Sequence, residues 1–141
     1  MGVKWFMSEK KRILVVEDET PVALMMVFLL SRVGYNVTTA RTGQEGMRLA
    51  TTTQFDLITL DVNLPDLKGF DICRELKQRH ISYRTPTIFV TGRPDEENRQ
   101  LAFELGAVDY IEKPFEASDF VFRIATQLRQ SELHEPATMP N

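Results

Sequence analysis

The sequence predicts an α/β fold, a doubly wound five-stranded parallel sheet covered by five helices. Three observations predict it. Short runs that are apolar on nearly every residue recur at Arg12–Glu17, Leu57–Leu60 and Thr87–Thr91, which suits strands buried on both faces. Longer segments with apolar residues three and four apart, such as Val22 to Val33, suit helices. The two kinds of segment alternate along the chain, so parallel strands joined by crossover helices are expected.

The elements follow in order. Arg12-Ile-Leu-Val-Val-Glu17 is the first strand. Thr20 is the expected N-cap of the first helix, with Pro21 at the first helical position. That helix runs to about Val33 and stops at Gly34, a natural residue just past a helix end. Asn36 to Ala40 is a short second strand, and Thr42 to about Thr51 a second helix weakened by Gly43 and Gly46. Leu57 to Leu60 is the central strand. Asn63-Leu64-Pro65-Asp66 cannot prolong it, because proline lacks the ladder donor and biases Leu64 away from helix. A helix from about Gly69 to Gln78 comes next. Thr87–Thr91 is the fourth strand, closed by Gly92; Pro94 to Leu105 is a helix ending at Gly106. Val108 to Glu112 is the fifth strand, broken by Lys113-Pro114, and Ser118 to about Arg129 is the last helix. The organisation predicted is an N-terminal extension over 1–10, one domain over 11–130 and a flexible tail over 131–141.

Composition narrows the function. The chain has 141 residues, 43% of them apolar and 26% charged, the balance of a water-soluble domain with a proper core. A net charge of −3 leaves no basic footprint for nucleic acid. One cysteine, Cys73, excludes an internal disulfide and suits a reducing, cytoplasmic setting; beside Ile72 and Leu76 it reads as a small buried hydrophobe. The longest apolar run, Val22 to Leu30, is about half of what a membrane span needs.

The chemistry is expected where the strands end. The first strand delivers Glu17 and Asp18, the third Asp61, the fourth Thr91 and the fifth Lys113. Open α/β sheets bind ligands at this carboxyl edge. The first and third strands of a doubly wound sheet are neighbours, so three carboxylates converge and need a cation to stay ionised together. Hard oxygen donors with room for water suit Mg²⁺, or Mn²⁺. Solvated loop acids would be the ordinary explanation of any one of these residues; five suitable residue types at the strand ends argue otherwise.

These segments resemble the receiver domain of two-component response regulators. The resemblance is carried by Ile13-Leu-Val-Val-Glu-Asp-Glu19, Asp56-Leu-Ile-Thr-Leu-Asp-Val-Asn-Leu-Pro-Asp66 with Gly69, Pro86-Thr-Ile-Phe-Val-Thr-Gly92, and Gly106-Ala-Val-Asp-Tyr-Ile-Glu-Lys-Pro-Phe115. It spans about Lys11 to Arg129. It implies a flavodoxin-like fold with strand order 2-1-3-4-5, and a phosphoryl group accepted from a histidine kinase or histidine phosphotransfer protein. It implies Asp61 as acceptor, Glu17 and Asp18 as the acid pair, and Asn63 lending its backbone carbonyl to the metal. Thr91 would be the switch hydroxyl and Lys113 the phosphate-pairing cation. Lys113-Pro114 would be a cis bond, and Tyr110 an aromatic that turns inward as Thr91 moves onto the phosphate; a core salt bridge is the ordinary alternative for Lys113, and a packed core aromatic for Tyr110. Such a chain catalyses its own phosphorylation and dephosphorylation and is not otherwise an enzyme. Glu17 stands where the family more often has aspartate, and Arg93 and Asn63 flank the expected attack path.

Other classes fit less well. A haloacid-dehalogenase-type phosphatase wants an acid two residues after its nucleophile, where this chain has Asn63. A flavin-nucleotide binder wants a hydroxyl- and glycine-rich loop after the first strand; Glu17-Asp18-Glu19-Thr20-Pro21 repels phosphate there. A receiver fold used purely for docking would not need all five residues. After Arg129 about a dozen residues remain, so no output domain is expected within this sequence.

The first helix carries a further expectation. Val22, Met25, Met26, Leu29, Leu30 and Val33 form an inward stripe, yet Leu24, Val27 and Phe28 are apolar on another face. An exposed apolar patch marks a partner surface. The candidate partners are the phosphodonor, since in the family this helix docks on the histidine-bearing bundle, or a second copy of the chain as a homodimer. The ordinary alternative packs Leu24 and Phe28 on the last helix or on Trp5-Phe6.

Overall fold

A computed structural model describes residues 10–92 and 95–133. Five parallel strands lie in the order β2-β1-β3-β4-β5: β1 Arg12–Val16, β2 Asn36–Ala40, β3 Leu57–Leu60, β4 Thr87–Thr91 and β5 Asp109–Glu112. The helices are α1 Thr20–Arg32, α2 Gly43–Thr52, α3 Gly69–Gln78, α4 Glu96–Glu104 and α5 Ala117–Leu133, with a 3-10 turn at Ile81–Tyr83 before β4.

Alternation along each strand divides the core in two. Ile13, Val15, Leu57, Ile88, Val90 and Ile111 face α1 and α5, where Met26, Leu30, Phe120, Ile124 and Leu128 meet them. Leu14, Val16, Ile58, Leu60, Phe89 and Tyr110 face the opposite layer, built from Ala50, Phe70, Ile72, Cys73, Leu76 and Ala102 of α2, α3 and α4. Both faces of β3 are covered, hence its nearly continuous apolar run, in which β-branched Thr59 is the one polar residue. The Cys73 thiol is buried and pushed up to about 11 by burial, which leaves it an inert core residue.

Helix boundaries follow capping chemistry, and several differ from expectation. α1 begins at Thr20 with Glu19 as its N-cap residue, so Thr20 is not the cap; its hydroxyl is engaged by Arg41 instead. At the other end Gly34 adopts φ 101° while its amide donates to Ser31 at 3.0 Å and that of Tyr35 to Leu30 at 3.2 Å. A side chain at Gly34 would be strained in that left-handed turn. Thr42 caps α2, accepting from the Glu45 amide. Asp95 caps α4, accepting from the Glu97 amide at 2.9 Å. α5 continues to Leu133, past the expected end at Arg129 and into the segment read as tail. Residues 134–141, Trp5-Phe6 and Arg93-Pro94 lie outside the described residues.

The inward row of α1 is also corrected. Ala23, Met26 and Leu30 are its buried residues, with Val22 and Leu29 packed beside them. Met25 is 42% and Val33 52% exposed. Val22, Met26, Leu29 and Leu30 thus keep the expected inward placement, while Met25 and Val33 at its margin turn to solvent and small Ala23, overlooked in favour of larger side chains, is buried instead. Among the described residues no helix is long and apolar enough to cross a membrane.

Candidate functional site

The carboxyl ends of β1, β3, β4 and β5 converge on a cavity of about 270 Å³ lined by Asp18, Glu19, Asp61, Asn63, Thr91, Gly92 and Lys113. In-register pairing explains the convergence. Val16 of β1 sits beside Leu60 of β3, so the next residues, Glu17 and Asp61, leave the sheet side by side. Thr91 ends β4 beside Glu112 of β5, and the Lys113 amide donates to the Thr91 carbonyl at 2.9 Å. The Lys113–Pro114 peptide bond is cis.

Lys113 is the centre of the charge arrangement. Its Nζ lies 2.7 Å from Asp61 Oδ2, 2.9 Å from Glu17 Oε1 and 2.9 Å from Glu19 Oε1. Glu17 is 1% and Asp61 6% exposed. Burial pushes the Glu17 carboxyl above its ordinary value and the Asp61 charge adds to that, while the Lys113 ammonium and the Glu19 amide pull it back without cancelling the rise. Burial alone would depress Lys113, but hydrogen bonds to Asp61, Glu17 and Glu19 outweigh it and hold the ammonium well above the usual lysine range. The lysine therefore stays charged throughout the neutral range.

The loop after β3 is fixed by two devices. Gly69 donates its amide to the Val62 carbonyl at 2.8 Å, and a Cβ built on Gly69 would fall 2.0 Å from the Asp61 carbonyl oxygen. Any side chain there displaces the backbone of Asp61 itself. Asp66 accepts from the amides of Gly43 at 2.7 Å and Gln44 at 2.9 Å. Partial desolvation raises the Asp66 carboxyl, but those amide donors prevail and hold it below its ordinary value.

The predicted residues distribute unevenly. Glu17, Asp61 and Lys113 are in direct ionic contact, and Thr91, 1% exposed, lines the cavity beside them. Asn63 is exposed at the mouth, its amide donating to Asp61 Oδ1 at 3.3 Å. Asp18 lines the cavity but does not join the tight acid group. That group is Glu17, Glu19 and Asp61, which bring one carboxylate oxygen each to within 4.8 Å of one another. Glu19 was missed, although it stands in the same acidic run as Glu17. Tyr110 is 4% exposed and packs its ring on Phe89 at 6.3 Å, the placement of a packed core aromatic. Phe89 and Phe70 supply the apolar surface that draws it in. Glu112, the last residue of β5, is exposed. On α1, Leu24 is 63% and Phe28 58% exposed, Val27 is half-buried, and the Arg32 guanidinium lies over the Phe28 ring at 5.4 Å.

The residues fit a divalent cation of the hard class. The donors that converge are all oxygen, three of them carboxylates, and the positive charge they require is supplied in this state by an ammonium in their midst.

Comparison with known proteins agrees with this geometry. A family model described as the response regulator receiver domain matches residues 13–125. The chain is 39% identical over 128 residues to the alkaline phosphatase synthesis transcriptional regulatory protein PhoP of Bacillus subtilis (strain 168), covering 91% of this chain and 52% of that protein, so it spans about half of that relative's length. Among solved structures, a CheY-like response regulator receiver domain protein from Methanospirillum hungatei JF-1 superimposes with a TM-score of 0.83 at 30% identity, over 89% of this chain and 98% of that one. The signal receiver domain of a putative LuxO repressor protein from Vibrio parahaemolyticus gives a TM-score of 0.87 at 26% identity, over 94% and 100%. A sheet in the order 2-1-3-4-5, an acid cluster at its carboxyl edge and a family match across nearly all of the described residues lead to one conclusion: this chain belongs to the response regulator receiver domain family of two-component signalling.

Proposed function

We propose that Asp61 accepts a phosphoryl group from a histidine kinase or histidine phosphotransfer protein in the cytoplasm, assisted by Mg²⁺ or Mn²⁺. Glu17, Asp18 and Asp61 would hold the ion by their side chains and Asn63 by its backbone carbonyl, with Glu19 close enough to contribute. A bound divalent cation would screen the acids from the incoming phosphoryl group and neutralise its oxygens. The observation that carries the reading is the Lys113 ammonium 2.7 Å from Asp61 at the mouth of an acid-lined cavity.

The chain's own residues supply the remaining steps. Asp61 is the nucleophile: its carboxylate oxygen forms a bond to phosphorus as the bond from phosphorus to the donor's imidazole nitrogen breaks. Lys113, held in place by Glu17 and Glu19, is positioned to pair with a phosphoryl oxygen in place of the Asp61 oxygen it now contacts. Thr91, at the end of β4, would donate its hydroxyl to another phosphoryl oxygen, and Tyr110 would respond through the Phe89 packing. In this reading the start of the switch is an inward Tyr110, so the response is a repacking rather than an inward turn. The chain turns over its own phosphoryl group and no other substrate. Through the likeness to a transcriptional regulatory protein, the readout would be a partner or output domain that senses this face.

Leu24, Val27 and Phe28 would meet the phosphodonor or a second copy of this chain. An exposed apolar surface, with only Arg32 bringing charge against it, on the helix that starts at the acid loop supports that role.

Incubation with acetyl phosphate and Mg²⁺, followed by intact-mass measurement, tests the central claim. One phosphoryl addition to the parent and none to Asp61→Asn is expected; labelling of Asp61→Asn at another residue would overturn it.

A further inference from the structure

Arg41 follows the last residue of β2 and takes no part in the phosphoacceptor chemistry. Its guanidinium nevertheless reaches across the carboxyl edge to the loop that bears the acids. Nε donates to the Glu17 carbonyl at 2.9 Å, and Nη2 donates to the Asp18 carbonyl at 3.0 Å and to the Thr20 hydroxyl. The Glu17 amide donates to the Ala40 carbonyl at 2.9 Å, so backbone and side chain together bind this loop to the end of β2.

Two peptide carbonyls fixed in direction fix the ψ angles of Glu17 and Asp18, and with them the direction in which each side chain leaves the backbone. Three carboxylates held within 4.8 Å repel one another. Lys113 offsets that repulsion from the side-chain end, but a loop without a backbone anchor would be free to turn the acids outward whenever that ammonium moves away. A planar fork that spans two carbonyls and a hydroxyl opposes such a turn, which a single ammonium is not shaped to do. The same corner also grips the other acid-bearing loop, since the Gly43 and Gln44 amides bind Asp66.

We propose that Arg41 is a positioning residue for the divalent-cation site: it holds the Glu17–Asp18 backbone so that the carboxylates face Asp61 before an ion arrives. The proposal rests on the cation-assisted reading of the site. It differs in what it predicts, because the effect lies in ion binding and not in chemistry once the ion is bound.

The test is Mn²⁺ titration of the full chain, read as the disappearance of the free-ion electron paramagnetic resonance signal. Arg41→Gln is expected to weaken Mn²⁺ binding about five-fold, which corresponds to about 1 kcal/mol. Arg41→Lys should weaken it as well, since it keeps the charge and loses the fork. Thr20→Val, which removes one anchor, should weaken it about two-fold and decides the matter if the Arg41 variants fold poorly. At saturating Mn²⁺ all three should be labelled by acetyl phosphate at the parental rate. If Arg41 acts merely as a nearby positive charge, Arg41→Gln will bind Mn²⁺ more tightly and Arg41→Lys will match the parent; either result overturns the proposal. Unchanged affinity in every variant, or a labelling loss that saturating Mn²⁺ does not restore, overturns it too. Failure of the parent to bind Mn²⁺ would instead refute the cation-assisted reading itself.

Discussion

Lys113→Ala is the most informative perturbation of the acid cluster. The ammonium has three carboxylate partners at 2.7–2.9 Å, and two of them, Glu17 and Asp61, are nearly sealed from solvent. Stripping a buried charge of its partner costs about 3–5 kcal/mol. Two features reduce that here. Glu19 has a side chain 58% exposed, so its pair contributes well under ~1 kcal/mol, and Glu17 can escape by taking up a proton. A loss of about 2–3 kcal/mol in metal-free buffer at neutral pH follows, or roughly 10 °C in melting temperature for a domain of this size. Removing the resident cation also eases ion binding, and a tenfold tighter Mg²⁺ affinity would return about 1.4 kcal/mol of that gap at a fixed high Mg²⁺ concentration. Acid should narrow the gap as well. The Glu17 carboxyl lies above its ordinary value in the folded chain, so between that ordinary value and its raised one the folded state binds the extra proton and gains stability as the pH falls. Loss of Lys113 raises Glu17 further and widens the window. The Lys113 contribution in the parent, whose ammonium is held above the usual range, is complete below the ordinary lysine value and fades only as the pH rises beyond it. Thermal melts of parent and variant, with chelator or with Mg²⁺, between about pH 5 and pH 8 give the answer. A gap that is the same with and without Mg²⁺ and flat with pH would refute the reasoning.

Further outcomes follow from single contacts. Gly69→Ala puts a carbon into the Asp61 carbonyl and the Phe89 ring; a loss of about 2–3 kcal/mol in chemical denaturation, with slowed labelling even at saturating Mg²⁺, is expected, and an alanine variant within about 0.5 kcal/mol of the parent would contradict it. Phe28→Glu should leave acetyl-phosphate labelling of Asp61 intact while slowing transfer from a phosphohistidine protein or abolishing self-association; parental behaviour in both assays would reduce the patch to ordinary surface. Thr91→Ala should still be labelled at Asp61, but phosphorylation should no longer shift the resonances of Tyr110; a parental shift at Tyr110 would separate the two residues.

Legibility in the sequence tracked how local each cause was. Strand identity came from runs such as Leu57–Leu60, because burial on both faces favours apolar and β-branched residues at every position, with β-branched Thr59 the one polar member. The end of α1 was readable at Gly34, where a left-handed turn needs glycine. The start of α1 was not: Thr20 is a good capping residue, but its hydroxyl is claimed by Arg41 from another loop, and Glu19 takes the cap position. Met25 and Val33 misled in the same way, since an apolar side chain at helical spacing does not say where the edge of the buried stripe falls, and here buried Ala23 takes the place expected for them.

The site shows the same division. Asp61 and Lys113 were found from strand ends alone, because pairing between neighbouring strands places their termini together. Glu17 and Glu19 lie two apart, the spacing that puts side chains on one side of an extended chain, and both reach the Lys113 ammonium. That spacing was a usable signal, passed over for the adjacent pair Glu17-Asp18. Gly46 was read as a weakness of α2, yet a Cβ there would fall 2.8 Å from Val16 Cγ2, so its absent side chain is what lets α2 lie against β1 just before the acids. Gly69 and Arg41 go further still, for their roles exist only through atoms far away in sequence: the Asp61 carbonyl for one, the Glu17 and Asp18 carbonyls for the other. Backbone carbonyls have no residue type, so no pattern of letters marks them. A chain can thus announce the side chains that perform its chemistry while leaving unwritten the contacts that aim them.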